Sequence, residues 1–352
     1  MNQRQSMDFN PSKQFLTLAP ERRALAFGQA ATERAIDPVI IEKDFWVCWI
    51  LGVTFALPEI APHLVFKGGT SLSKVFGAID RFSEDVDLSV SPTYIGADPG
   101  VLSEAISRRQ LDRAMDEMQR LCSVKVKDTI APILETAIRE LIGAPIRSHD
   151  WLIYEVDSRA HSPNLFFQYP TTTSTDLSYV KRVVKLELGS LTDQQPVGRH
   201  PVTPWVAEVF PNVFADWSCE VTVLDLARSF WEKATILHSE YYRPENQPIP
   251  DRYARHYSDL ARLLELPNAT AIIADKAVAD RVVEWKSRFF ARTWARYDLA
   301  RHGSFRLVPP ESRLPELERD YAVMRAMFLH APPAFADMMA RLKMAEQRIN
   351  AL

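Results

Sequence analysis

The sequence predicts an α+β domain followed by a helical domain. Three observations predict it. Residues 64–90 carry a short apolar run, a Gly-Gly turn and a segment that alternates apolar and polar residues with period two. Residues 151–209 hold four more strand-like stretches separated by polar turn clusters. From Val221 onward the pattern is helical to the end. A chain of 352 residues suggests about two domains, at roughly 100–200 residues each. The change of texture places them at 1–218 and 219–352.

Taken in order, residues 1–57 read as helical. Ala24, Phe27, Ala31 and Ala35 recur at helical spacing, and a second helix runs from Pro38 to Leu57. The apolar run Phe45–Leu57 lies between Lys43-Asp44 and Pro58-Glu59. It falls short of the ~20 residues that cross a membrane, so it is a buried helix. Pro58 and Pro62 break the pattern. Leu64-Val65-Phe66 is a short strand ending at Gly68-Gly69, and a helix follows through Leu72, Val75 and Phe76. Val86, Leu88 and Val90 alternate with Asp85, Asp87 and Ser89 as a strand does. Residues 92–99 are a loop, and 102–121 and 130–142 are helices. The strands expected next are 151–156, 164–168, 179–188 and 202–209.

Composition excludes several classes. Lys and Arg number 42 against 45 Asp and Glu, and a net charge of −3 removes any general basic drive toward nucleic acid. A local basic patch remains open, and Arg281–Arg306 supplies one: Arg281, Lys286, Arg288, Arg292, Arg296, Arg301 and Arg306 are interleaved with Trp285, Phe289, Phe290 and Trp294. Such a stretch is either a solvated helix face or a surface for a nucleic-acid backbone with aromatic stacking. Cys48, Cys122 and Cys219 are scattered and form no CxxC pair, which points to a reducing compartment without a disulfide framework or zinc site. The eight histidines show no metal-ligand spacing. No targeting segment stands out, so the expected location is the cytoplasm.

The chemistry concentrates in FKGGTSLSKVFGAIDRFSEDVDLSV, residues 66–90. Gly68 and Gly69 let the backbone approach a phosphate, while Thr70 and Ser71 at the start of a helix add hydroxyl and amide donors. Lys67 and Lys74 add positive charge. Without more, this is also how an ordinary tight turn and helix cap look. Asp85 and Asp87 sharpen the reading. Residues i and i+2 of a strand share a face, so two carboxylates project together while Val86 and Leu88 face the core. Like charges this close repel unless a cation lies between them, and hard oxygen ligands suit Mg²⁺ or Mn²⁺ bound together with substrate phosphates. A second feature is the stripe Leu226, Phe230, Lys233, Leu237, which puts a lysine on an apolar helix face. That lysine must reach water or a partner. A third is Glu187 in VVKLELGS, with Leu186 and Leu188 on the opposite face and Lys185 on its own, where the two form either a plain surface pair or part of a site.

The strand–GG–helix–strand–DxD arrangement resembles the nucleotidyltransferase superfamily with the DNA polymerase β type of fold. Within it the chain is most similar to the AbiEii/AbiGii-type nucleotidyltransferase toxins of type IV toxin–antitoxin systems. Four stretches carry the resemblance: IIEKDFWV (40–47), the FKGGTSLSK…RFSEDVDL block, LARSFWEKATIL (226–237) and RYARHYSDLARLL (252–264). The last departs from the commoner RD-x-x-D form, with His256 where an acid would stand. The stretch beyond about residue 270 matches none of these.

The resemblance implies transfer of an NMP from an NTP to an acceptor hydroxyl, with Mg²⁺ or Mn²⁺ and release of pyrophosphate. It implies that Asp85 and Asp87 hold the metal, with a third carboxylate on a neighbouring strand as ligand or base. Glu187 is the candidate and Asp157 the runner-up. Lys67, Gly68, Gly69, Thr70, Ser71 and Lys74 would bind the nucleotide. Lys233 would neutralise the triphosphate, and Asp259 becomes an active-site candidate instead of a surface acid paired with Arg255 or Arg262. It further implies a cognate antitoxin and RNA, a tRNA acceptor end among the choices, as acceptor. A non-catalytic nucleotide-binding regulator and a protein acceptor are the alternatives.

Overall fold

The computed structural model describes residues 12–97, 107–145, 148–158, 160–173 and 180–352. Two compact units are present. One comprises residues 1–75 and 84–223, the other residues 76–83 and 224–352. The boundary expected at 218/219 moves to 223/224, and a short excursion, Phe76–Ser83, belongs with the second unit.

The first unit is α+β. Its described elements are α1 (Lys13–Leu16), α2 (Pro20–Arg34), α3 (Pro38–Ala56), β1 (Leu64–Lys67), α4 (Gly68–Lys74), β2 (Val86–Val90), α5 (Arg108–Lys125), α6 (Ala131–Ile142), β3 (Leu152–Val156), β4 (Pro163–Phe167), β5 (Val184–Gly189), β6 (Val197–Pro201), α7 (Trp205–Val209) and β7 (Glu220–Leu224). The strands form one mixed sheet in the order β3-β4-β5-β2-β1-β7-β6. β1 and β2 are antiparallel, whereas β2 runs parallel to β5 and β1 to β7.

Register separates the sheet into two chemically distinct faces. Phe66, Leu88, Leu188, Leu186 and Leu165 align across β1, β2, β5 and β4 and are fully buried. α3 lies against the sheet at β5, with its residues 39–54 buried. It begins at a capping Asp37, whose side chain accepts from the Val39 amide at 2.8 Å, with Pro38 in the first turn. The other face carries Lys67, Asp87, Glu187, Asn164 and Glu155 in one cross-strand row. The core face fixes this register, because a one-residue slip would bury the charges.

Three sequence expectations change. Residues 202–209 are not a strand: the strand ends at Pro201, and Pro204, which has no amide to give a sheet ladder, precedes the helix α7. Residues 220–224 form a strand, β7, where the helical pattern was expected to begin. The helices around 102–121 and 130–142 are joined by a π-helical segment, Val126–Ile130, instead of a break. Of the expected segments, 1–11, 98–99, 102–106 and Tyr179 lie outside the described residues.

The second unit is helical, with α8 (Leu226–Tyr241), α9 (Ala254–Leu263), α10 (Ala269–Ala274), α11 (Lys276–Phe289), α12 (Leu314–Val323) and α13 (Phe335–Asn350). α8 packs on α9 and α11, and α9 also packs on α12 and α13. The excursion Phe76–Ser83 joins this unit through backbone bonds, Phe82 N–H to the Met327 carbonyl (2.7 Å) and Leu329 N–H to the Asp80 carbonyl (3.3 Å). No helix among the described residues is long and apolar enough to cross a membrane.

Candidate active site

The turn after β1 and the strand β2 meet at Gly68 and Asp87. Lys67 is paired in register with Asp87, and Gly68 follows with φ of 81°, a conformation that costs glycine nothing. A Cβ on Gly68 would stand 2.0 Å from Asp87 Oδ2 and 2.8 Å from its Cγ. The carboxylate is thus seated on bare backbone. The Thr70 hydroxyl donates to the Asp85 carbonyl and the Ser71 hydroxyl to the Gly68 carbonyl (2.8 Å), and both residues are fully buried. Both hydroxyls, expected to face a phosphate, donate to backbone carbonyls that hold the turn against the approach to β2.

Asp85 stands just before β2, and Asp87 lies directly across from Glu187 on parallel β5. The Asp85 residue reaches solvent, but its carboxyl is crowded by protein. That crowding first, and the charge of Asp87 second, push its pKa up to about 6, with Lys185 and Lys43 opposing. Glu187 is paired with Lys185 at 2.7 Å. The two are i, i+2 neighbours on one strand face, so each meets the other before any third group. Among the described residues no three carboxylates, histidines or cysteines converge to hold a metal ion. Of the expected ligands Asp85, Asp87 and Glu187, the first two stand side by side, and Glu187 lies alongside Asp87 with Lys185 as its ion-pair partner. Asp157 follows β3, separated from β2 by β4 and β5, and caps a turn by accepting from the Ala160 amide at 2.7 Å.

The first turns of α3 brace this arrangement with three successive buried charges. Glu42 accepts hydrogen bonds from Thr171 (3.0 Å), Thr172 (2.8 Å) and Thr173. Lys43 donates to Glu84, the neighbour of Asp85, and to the Lys181 carbonyl (2.7 Å). Asp44 pairs with Lys74 at 2.6 Å and accepts from the Trp205 amide at 2.7 Å. The Lys74 side chain is only 4% exposed and sits 4.4 Å from the Trp205 ring centroid. The expectation that Lys74 contacts a phosphate is corrected: it ties the end of α4 to α3. Lys67, at the start of α4, is half-buried beside Asp87.

In the helical unit, Lys233 and Asp259 come together from α8 and α9. Lys233 Nζ donates to Asp259 Oδ2 at 2.7 Å and lies 3.4 Å from His256 Nδ1. The lysine that its apolar stripe leaves to reach water or a partner has its partner in Asp259. The sequence also allows Asp259 to be a surface acid beside Arg255 or Arg262; it is 1% exposed and its partners are Lys233 and Arg81. Burial alone would raise its pKa, but Arg81 and Lys233 outweigh burial and hold it well below the usual carboxylate range. Burial, and then the charge of Lys233, push His256 well down, so its ring is neutral and accepts from the lysine. The sequence did not single out Arg81 or Lys43 as site residues. Both stand inside motif stretches, but neither follows an apolar periodicity that would mark it.

A family model describing the nucleotidyl transferase AbiEii toxin of type IV toxin–antitoxin systems matches residues 49–341. The chain belongs to the AbiEii nucleotidyltransferase toxin family. It is thus a nucleotidyltransferase of the type IV toxin–antitoxin class. The AbiEii match takes in the Gly68-Gly69 turn, Asp85, Asp87, Glu187, Lys233 and Asp259, and begins after the Glu42–Asp44 segment. Among solved structures, the chain is similar to MenT4, the nucleotidyltransferase toxin Rv2826c from Mycobacterium tuberculosis H37Rv, at 16% identity over 95% of this chain and 90% of that one, with a TM-score of 0.48. No curated protein matches it.

Proposed function

We propose that this AbiEii toxin moves an NMP from an NTP to a hydroxyl of RNA in a metal-dependent reaction, and that a cognate antitoxin neutralises it. The supporting observation is the carboxylate of Asp87 seated on Gly68, with Asp85 beside it at a raised pKa. Two carboxylates forced together in this way gain most from a divalent cation, and Mg²⁺ or Mn²⁺ fits a site of two carboxylates completed by substrate phosphates. When bound, the cation would supply charge neutralisation at the reacting phosphate. Asp85 and Asp87 would hold it. The backbone amides of Gly68 and Gly69, with Lys67, would cradle the phosphates, and Lys233 would neutralise charge on the triphosphate. Glu187, across from Asp87, would accept the proton of the acceptor hydroxyl as that oxygen bonds to the α-phosphorus and the bond to the β-phosphate oxygen breaks. Asp259 would serve by orienting Lys233.

Incubation with each [α-³²P]NTP, total RNA and Mg²⁺ tests this. Label that nuclease removes, and that EDTA prevents, is expected. Label removed only by protease would move the acceptor to a protein. Saturable NTP binding without any label would make the protein a nucleotide-binding regulator.

A further inference from the structure

Asp259 has two cationic partners, Arg81 and Lys233, and the sequence pairs it with neither. Arg81 donates to it through Nε at 2.7 Å and through Nη2 at 2.8 Å, a two-pronged contact onto both carboxylate oxygens. Lys233 donates a single bond at 2.7 Å. All three side chains are largely removed from water, at 6% exposure for Arg81, 1% for Asp259 and 12% for Lys233. Two cations share one carboxylate, with a neutral His256 on the remaining side.

We propose that Arg81 is a positioning residue for the nucleoside triphosphate, acting through Asp259 on Lys233. A lysine and an aspartate alone would close into a neutral pair, and a neutral pair has little attraction for a triphosphate. The fork of Arg81 takes both oxygens of Asp259 and fixes the plane of the carboxylate. Lys233 then keeps one bond to Asp259, one contact to His256 and, among the described residues, one N–H still to be used. The cluster retains a net positive charge, and of its three ions the lysine is the most exposed. Arg81 needs no contact with the nucleotide for this. It is placed independently of its side chain, because its backbone forms an isolated antiparallel bridge with Phe328 and the next amide bonds to the Met327 carbonyl.

The inference rests on the reading of Lys233 as the triphosphate lysine, and its test separates the two. NTP affinity is measured by calorimetry, and transfer by the KM and kcat for the same NTP, in the wild type, Arg81→Gln, Arg81→Lys, Lys233→Met and the double variant Arg81→Gln/Lys233→Met. Arg81→Gln is expected to weaken NTP binding and raise its KM by about 10- to 100-fold, the worth of a charged hydrogen-bond pair, with a smaller change in kcat. Arg81→Lys, with charge but no fork, should recover only part of the loss. The double variant should be no worse than Lys233→Met alone, because Arg81 has nothing left to position. Unchanged affinity in Arg81→Gln overturns the proposal. So do losses that multiply in the double variant, or a loss in Arg81→Gln beside normal behaviour in Lys233→Met. If Arg81→Gln does not fold, Arg81→Lys carries the test, and wild-type affinity in that variant overturns the proposal. Arg81-dependent NTP binding without any transfer would sink the transferase reading and leave the role of Arg81 standing.

Discussion

A side chain at position 68 would occupy space already held by Asp87, since its Cβ would lie 2.0 Å from Oδ2. The φ of 81° penalises the substitution a second time. Gly68→Ala is therefore expected to cost about 1–3 kcal/mol of stability, read by thermal melting, and to lose transfer with it. Asp87→Asn and Asp85→Asn act differently. Each removes one of two crowded negative charges, so transfer should vanish while the melting temperature of the metal-free protein stays level or rises. A fall in melting temperature in both variants would show that the acids stabilise the fold instead. Asp259→Asn leaves Arg81 and Lys233 buried without their counter-charge, with an expected cost of about 3–5 kcal/mol. The sign of its pH dependence is fixed by the depressed pKa of Asp259. Its contribution is complete above the ordinary carboxylate value of about 3.9 and is lost as the pH falls through the folded value. The gap in melting temperature between wild type and Asp259→Asn should therefore narrow below about pH 4. A constant gap down to about pH 2 would contradict the buried ion cluster.

At the scale of elements, β1, α4 and β2 were legible because alternation, a Gly-Gly turn and an i, i+2 acidic pair are local signals. β5 was legible for the same reason, since Leu186 and Leu188 point one way and Lys185 and Glu187 the other. β7 was not: Val221 and Val223 are buried, and Val223 pairs with Phe66 of β1, a partner distant in the chain. Lys74 misled because its charge reads as available, whereas Asp44, thirty residues earlier in the chain, holds it inside. Arg81 carries no local signal for the same reason, its partner lying on α9. The basic aromatic stretch also changes at this scale. α11 ends at Phe289, whose ring is buried, and Trp294 is flanked by Arg243 (4.8 Å) and Arg292 (5.6 Å). Phe290 alone among its four interleaved aromatics is exposed. Arg296 is paired with Asp298 at 2.9 Å. If this stretch meets RNA, Arg288→Glu with Arg292→Glu should reduce the salt slope of binding by about 2, and Arg296→Glu should add less than either. An unaltered slope would make it a solvated surface.

Across the whole molecule, an apolar sheet face packed on α3 and a charged face bearing Lys67, Asp87 and Glu187 put the candidate chemistry on one side of one sheet. The helical unit contributes a buried cation cluster of its own. In the proposed reaction an NTP transfers its NMP to a hydroxyl acceptor and releases pyrophosphate. The most direct test of that reading is incorporation of label from [α-³²P]NTP into RNA by the wild type and by Asp87→Asn, with Mg²⁺ and with EDTA, at matched folded concentration. Label that requires Mg²⁺, survives protease, is removed by nuclease and is absent with Asp87→Asn is the expected result. Equal labelling by wild type and Asp87→Asn would contradict it.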